Sequence, residues 1–242
     1  MSGTSLEGRT ALVTGASSAI GTAIVRALDA EGATVCVIGR RVSALRRVVR
    51  GTRAANDGVF VADLVDDSDT RAAARSFLRR FGRLDILVHG GGIHVAAPYE
   101  SAKVADFDRQ YVANVRSPYV LTQLLLPSLL DSSGEVVFLN SSVVFFPRPS
   151  VGQFAATQHA LRGLADTLRA ELNPQGVRVL TLYAGRTATK RQEQLFREEG
   201  RAYAPERLLQ PEDIAACLVG ALALPRTAEV TEIRVRPMLK SS

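Results

Sequence analysis

Along most of the chain, short runs rich in β-branched residues and leucine alternate with longer stretches whose apolar positions recur every three or four residues. The runs TALVTG (10–15), TVCVIG (34–39), GVFVAD (58–63), LDILVHG (84–90), GEVVFLN (134–140), VRVLTLY (177–183) and EVTEIRVR (229–236) predict strands. The stretches between them, roughly 19–30, 42–53, 68–81, 104–130, 151–173 and 211–223, predict helices. Asp67 or Ser68 is placed to cap the third helix. Pro211, Glu212 and Asp213 open the last one, with proline and acids where the positive end of the helix dipole favours them. Most of the strands are apolar without alternation, the pattern of a parallel sheet covered on both faces. The expected fold is α/β: a doubly wound, Rossmann-type parallel sheet of about seven strands, with helices on both faces, in one domain over 1–242.

No linker, repeat or low-complexity tract interrupts this alternation. The polar stretch 186–210 follows the sixth strand, on the side of the sheet where ligands sit in such folds, and is the expected substrate lid. A surface helical excursion is the alternative. A chain of 242 residues, 46% hydrophobic and 22% charged, buries a sizeable core without staples. Cys36 and Cys217 lie in apolar stretches, which suits a reducing, cytoplasmic compartment; neither has a Cys or His at metal-ligand spacing, so no metal is expected. The first residues lack a basic segment followed by a long apolar one, and no run approaches the ~18 apolar residues of a membrane span, so no membrane role is expected. The net charge of +6 concentrates at Arg40, Arg41, Arg46, Arg47, Arg50 and Arg53. No aromatic residues interleave with these arginines, so a solvated helix face is expected there rather than a nucleic-acid surface.

The segment VTGASSAIG (13–21) joins the first strand to the first helix. Gly15 permits a tight turn, Gly21 lets helix and strand pack closely, and the helix start offers free N–H groups to a pyrophosphate. Gly15, Ser17, Ser18, Ile20 and Gly21 are therefore candidate dinucleotide contacts; Ala19 stands where a third glycine often sits. A site preferring NAD carries an acid at the end of the second strand. This chain has Gly39, Arg40 and Arg41 instead, and Arg40 suits the 2′-phosphate of NADP by charge and forked geometry. A solvent-facing arginine is the alternative. Asp63 and Leu64 close the third strand, where Asp63 can accept from the adenine amine. His89 to Gly92 close the fourth, where Gly90 and Gly91 leave room for backbone to approach the cofactor.

Together these residues resemble the short-chain dehydrogenase/reductase family over nearly the whole chain. TGASSAIG is similar to its TGxxx[AG]xG turn, Asp63-Leu64 to its adenine-site acid, and HGGGI to an altered NNAG. Asn114 matches the helix asparagine of the family's catalytic tetrad, and Ser141 or Ser142 its serine. AGRTAT (184–189) resembles PGxxxT with Ala184 for the proline; Gly185, Thr187 and Thr189 then approach the cofactor, Thr189 meeting the nicotinamide carboxamide. In the family a tyrosine of a YxxxK pair moves the proton, and its lysine binds the nicotinamide ribose and lowers the tyrosine pKa. Aligning FAATQHAL with YxASKxAL puts Phe154 and Gln158 at those two positions, thirteen residues after Ser141 and twelve after Ser142 in the case of Phe154.

The resemblance implies an NADP(H)-dependent oxidoreductase whose usual acid is missing. The retained phosphate turn, Arg40, Asp63, Asn114, both serines and Thr189 favour a working reductase. Gln158 can still bond ribose hydroxyls. A ketone or quinone carrying a phenol beside its carbonyl supplies its own proton, so the expected substrate is a hydrophobic, polycyclic aromatic secondary metabolite. Its pocket is expected from 95–99, 145–151, Tyr183 and 186–210, with His94, Phe146 and Tyr183 as substrate contacts. His94, titrating near neutrality, and Tyr183 are candidate proton donors, as more weakly are His89 and His159. A catalytically silent NADP-binding partner or sensor, and a non-redox cyclase or isomerase, are the competing readings. The helices at 104–130 and 151–173 carry apolar stripes suited to a homodimer or homotetramer.

Overall fold

The computed structural model describes residues 6–239. Seven strands, β1 (Thr10–Thr14), β2 (Thr34–Gly39), β3 (Val59–Val61), β4 (Ile86–His89), β5 (Glu135–Ser141), β6 (Arg178–Ala184) and β7 (Glu232–Val235), form one parallel sheet in the order β3-β2-β1-β4-β5-β6-β7. Leu12 of β1 aligns with Cys36 on one side and Leu87 on the other. The sheet is apolar on both faces because both are covered. Ala11, Val13, Val35, Val37, Ile86 and Val88 face a core closed by α1 (Ala19–Ala30) and α8 (Pro211–Leu222). Leu12, Cys36, Ile38, Leu87, Val136 and Phe138 face a second core, beneath α3 (Asp67–Phe81), α5 (Ser117–Asp131) and α6 (Gly152–Leu172). This is the expected doubly wound fold.

Several local expectations change. The second helix, α2 (Val42–Val48), ends short of residue 53. Helix α3 is capped by Asp66, not by Asp67 or Ser68: its carboxylate accepts from Ser68 N at 2.8 Å and Asp69 N at 3.0 Å. Asp67 instead pairs with Arg116 across 2.7 Å. The stretch 104–130 is not one regular helix. It runs as α4 (Val104–Tyr111), a π-helical turn (Val112–Arg116) and α5. Pro118 has no N–H to give the carbonyl four residues back, and Ser117 N bonds five residues back to Val112 O, so the helix widens at Asn114.

At the amino ends of the strands, buried Glu135 accepts from Arg9 at 2.7 Å and Arg178 at 2.8 Å. The opposite, carboxyl ends carry the cleft. The chain crosses over between β1 and β4, the point at which open α/β sheets bind ligands. Among the described residues no helix is long and apolar enough to cross a membrane, and no cluster of side chains suits a metal ion.

Candidate active site

A cleft of about 780 Å³ opens at that crossover, lined by Gly15, Ser17, Ser18, Arg40, Arg41, Asp63, Leu64, Gly90 and Gly91 among others. Its floor is backbone against backbone. Gly15 has φ +67°, and a Cβ there would lie 2.2 Å from Gly90 O; a Cβ on Gly21 would lie 2.3 Å from Gly15 O. Only glycine satisfies both contacts. Thr14, buried beneath them, accepts from Gly90 N at 3.0 Å and Gly91 N at 3.1 Å. It was not singled out from the sequence, although it directly precedes the glycine turn. Ser18 caps α1 by accepting from Gly21 N at 3.0 Å, and no acid occupies the first turn, so its positive end stays free to meet an anion. Gly21 sits under the turn, against Gly15, and Ile20, in the first turn of α1, packs against the core.

Where β2 ends, the wall carries Arg40 and Arg41 and no carboxylate. Asp63, beyond β3, accepts from Val65 N at 3.3 Å and faces the same space. A free helix N-terminus, a cradle a single methyl would fill, and two cations at the strand end fit a dinucleotide carrying an extra phosphate.

Ser141, Phe154, Gln158 and Thr189 lie outside this wall, towards β5 and β6. Asn114 organises that second region. Its Oδ1 accepts from Ile93 N at 2.8 Å, and its Nδ2 donates to Ile93 O at 2.9 Å and to Thr157 Oγ1 at 3.0 Å. The loop after β4 is thereby bound to α6, one residue before Gln158. Gln110, fully buried, adds a bond from Val95 N at 3.0 Å, a contact the sequence did not reveal. Ala97 N donates to Ser150 O at 2.8 Å, joining the two segments expected to line a substrate pocket.

On the other side, Asn140 donates to the Gln158 carbonyl at 3.0 Å, fixing the end of β5 to α6. Ser141 Oγ accepts from Val143 N at 3.3 Å, which leaves its own proton available; Ser142 opens the short helical turn that follows. Gln158 is buried and Phe154 half-buried. Thr187 is buried and donates to Gly185 O at 3.1 Å. Thr189 caps α7 (Lys190–Glu198), accepting from Gln192 N at 3.1 Å. His94 sits edge-on to Phe154, ring centres 4.4 Å apart. Phe146 is exposed, whereas Phe145 packs on Tyr183 at 4.8 Å and under Arg234.

Two expectations about proton donors need correction. Tyr183 is 1% exposed and donates to Glu232 at 3.1 Å; burial and that carboxylate raise its pKa further from neutrality. His94 does not titrate near pH 7. Burial, with Arg191 and Arg148 nearby, lowers its pKa to about 4 against a smaller opposing effect of Glu198. His89 is buried against Thr122, its pKa lowered by burial to about 3, and His159 is exposed on α6.

The sequence pattern of the short chain dehydrogenases matches residues 9–200. The chain belongs to that family. An uncharacterised oxidoreductase of Staphylococcus epidermidis is 29% identical over 231 residues, 95% of this chain and 97% of its own length. A metagenomic short-chain oxidoreductase solved in complex with NADP shares 29% identity with a TM-score of 0.81, over 97% of this chain and 99% of that one. The 3-ketoacyl-(acyl-carrier-protein) reductase of Brucella melitensis, solved with NADH, shares 28% with a TM-score of 0.83, over 96% and 98%. The protein is thus an oxidoreductase of the short-chain type, and its relatives include binders of either nicotinamide dinucleotide.

Proposed function

We propose that this short chain dehydrogenase is an NADPH-dependent reductase of a hydrophobic aromatic ketone or quinone, working without a tyrosine acid. Gly15, Ser17, Ser18, Gly90 and Gly91 would hold the phosphates, Arg40 the 2′-phosphate and Asp63 the adenine. Gln158 and Thr189 would hold the nicotinamide end. When bound, NADPH supplies a hydride, which with one proton takes a carbonyl to an alcohol. Phe154 and Gln158 stand at the family's tyrosine and lysine positions. Phenylalanine keeps the aromatic volume at little packing cost but carries no proton. Ser141 or Ser142 stabilises charge on the carbonyl oxygen, and the proton comes from a phenol beside that carbonyl on the substrate itself. The stretch 186–210, which carries α7, covers the site. Exposed Val104, Tyr111 and Tyr119 on α4 and α5 support self-association.

One observation carries this reading. Asn114 spends its whole amide tying Ile93, in the cleft wall after β4, to Thr157 of α6, one residue before Gln158, so the frame of the reacting end is maintained. A module that only bound the dinucleotide would use the bonds to Ile93 but not the bond to Thr157, which reaches the helix carrying Phe154 and Gln158. Positioning of this kind contributes roughly 7–11 kcal/mol to a barrier, against ~10²–10⁴-fold from a general acid.

The test follows NADPH oxidation with a panel of hydroxyquinones and polycyclic hydroxyketones. Turnover confined to substrates with an adjacent phenol is expected. The double variant Phe154→Tyr/Gln158→Lys should then gain ~10²–10⁴-fold on simple ketones and change little on the phenolic ones. Tight NADPH binding with no turnover would instead mark a silent binding protein, and product without NADPH consumption a cyclase or isomerase.

A further inference from the structure

We infer that His94, oriented by Arg191, is the hydrogen-bond donor to the substrate carbonyl that replaces the missing phenol. The inference rests on the reductase reading and names the group that polarises the oxygen. Arg191 Nη2 lies 3.0 Å from His94 Nδ1 and 2.6 Å from the His94 carbonyl oxygen. A guanidinium has donors only, so both atoms facing it must accept. An imidazole whose Nδ1 accepts carries its one proton on Nε2. Arginine therefore selects the tautomer, and excludes an imidazolium, in which both nitrogens donate.

The ring is also held in place. Asn114 fixes the residue before it and buried Gln110 the residue after it, while the His94 and Phe154 rings meet in a T, centres 4.4 Å apart and planes at 72°. The donor thus stands one ring away from the position that the family's acid would occupy. The charged groups around it are Arg191 and Glu198 from α7 and Arg148 from the segment after β5. Two cations against one carboxylate, together with burial, keep the imidazole neutral throughout the neutral range. A neutral N–H offers a hydrogen bond and gives up no proton. It stabilises the oxygen as negative charge develops there, and the proton that completes the alcohol still comes from the substrate phenol. Arg191 touches no reacting atom; it is a positioning residue. It sits on α7, so the donor is set only while that helix lies over the loop.

Two measurements decide the matter. In protein labelled with ¹⁵N-histidine, long-range ¹H–¹⁵N spectra at pH 7 resolve three rings, and His94→Gln assigns the one of interest. That ring should be a pure Nε2–H tautomer, and Arg191→Ala should leave a mixture whose titration midpoint moves up from about 4. A mixed or Nδ1–H ring in the wild type overturns the inference. In turnover of the best carbonyl in the panel, His94→Phe should lower kcat by roughly 10²-fold, with NADPH affinity unchanged, and His94→Gln should restore part of the loss through its amide N–H. An unchanged kcat in His94→Phe overturns the donor while leaving the reductase reading intact. A wild type that reduces nothing overturns that reading, and the donor with it, whatever the tautomer.

Discussion

The two ends of the proposed site, one for the phosphates and one for the reaction, are made of different material. The phosphate end is backbone: Gly15, Gly90 and Gly91 packed against one another, with Thr14 bonding two of the N–H groups from below. The reacting end is side chains drawn from distant parts of the chain: Asn114 to Ile93 and Thr157, Gln110 to Val95, Arg191 to His94. A backbone site tolerates almost no change, because one added carbon collides with atoms that cannot move. A side-chain site can exchange a phenol for a phenyl and keep its shape, so chemistry can change at this end while the other stays fixed.

The largest effect that would expose this contrast comes from one methyl group. Gly15→Ala puts a carbon 2.2 Å from Gly90 O at a φ of +67°, where neither partner is a flexible side chain. Overpacking and the left-handed conformation together cost about 3 kcal/mol. For a chain of this length that lowers the melting temperature by roughly 6–12 °C. NADPH binding should fall beyond detection in the same variant. Calorimetry and fluorescence titration check both, and near-normal binding would mean that the turn can relax.

The same contrast governs what could be read in advance. The glycine turn was legible because a backbone geometry dictates residue identity, and most of the strands because both their faces are apolar; β7, with Glu232 and Arg234 alternating with Ile233 and Val235, is the exception. Asn114 was found through its motif, but the π turn beneath it was not, although Pro118 signals it by withholding an N–H. Asp66 was passed over as a cap because three aspartates and a serine crowd that helix start, and only geometry selects among them. Gln110 and Arg191 are ordinary helix-surface residue types. Their value arises from partners 15 and 97 positions away, a pairing that no local pattern encodes. Tyr183 misled for the converse reason: topology put it at the end of β6, and the pleat turned it onto the face that packs against Phe145 and Glu232.

A middle-sized effect sharpens the line at the edge of the backbone-made end, where one side chain does count. Arg40→Ala removes a charged donor from the wall at the end of β2, where no carboxylate stands. A charge-assisted hydrogen bond is worth ~1.5–3 kcal/mol, so NADPH affinity should drop roughly tenfold to hundredfold. NADH affinity should hardly move, because that cofactor lacks the 2′-phosphate. Isothermal titration with both cofactors reads the ratio directly. Parallel losses for the two would assign Arg40 to the fold rather than to the phosphate.

The smallest effect tests where the reacting end stops. Tyr183→Phe deletes a hydroxyl that donates a 3.1 Å bond to Glu232, a carboxylate that keeps Arg162 and Arg234, each also at 3.1 Å. The ring stays to pack on Phe145 at 4.8 Å. Stability should fall by about 1 kcal/mol, the usual net worth of one such bond, and kcat should not change. The phenol is buried, and its pKa is pushed up by burial and by Glu232, so it is a poor source of protons at neutral pH. A tenfold loss of kcat with the melting temperature unchanged would put that hydroxyl in the reaction. The proton would then belong to β6, and the division between a fixed backbone end and an exchangeable side-chain end would have to be redrawn one strand further out.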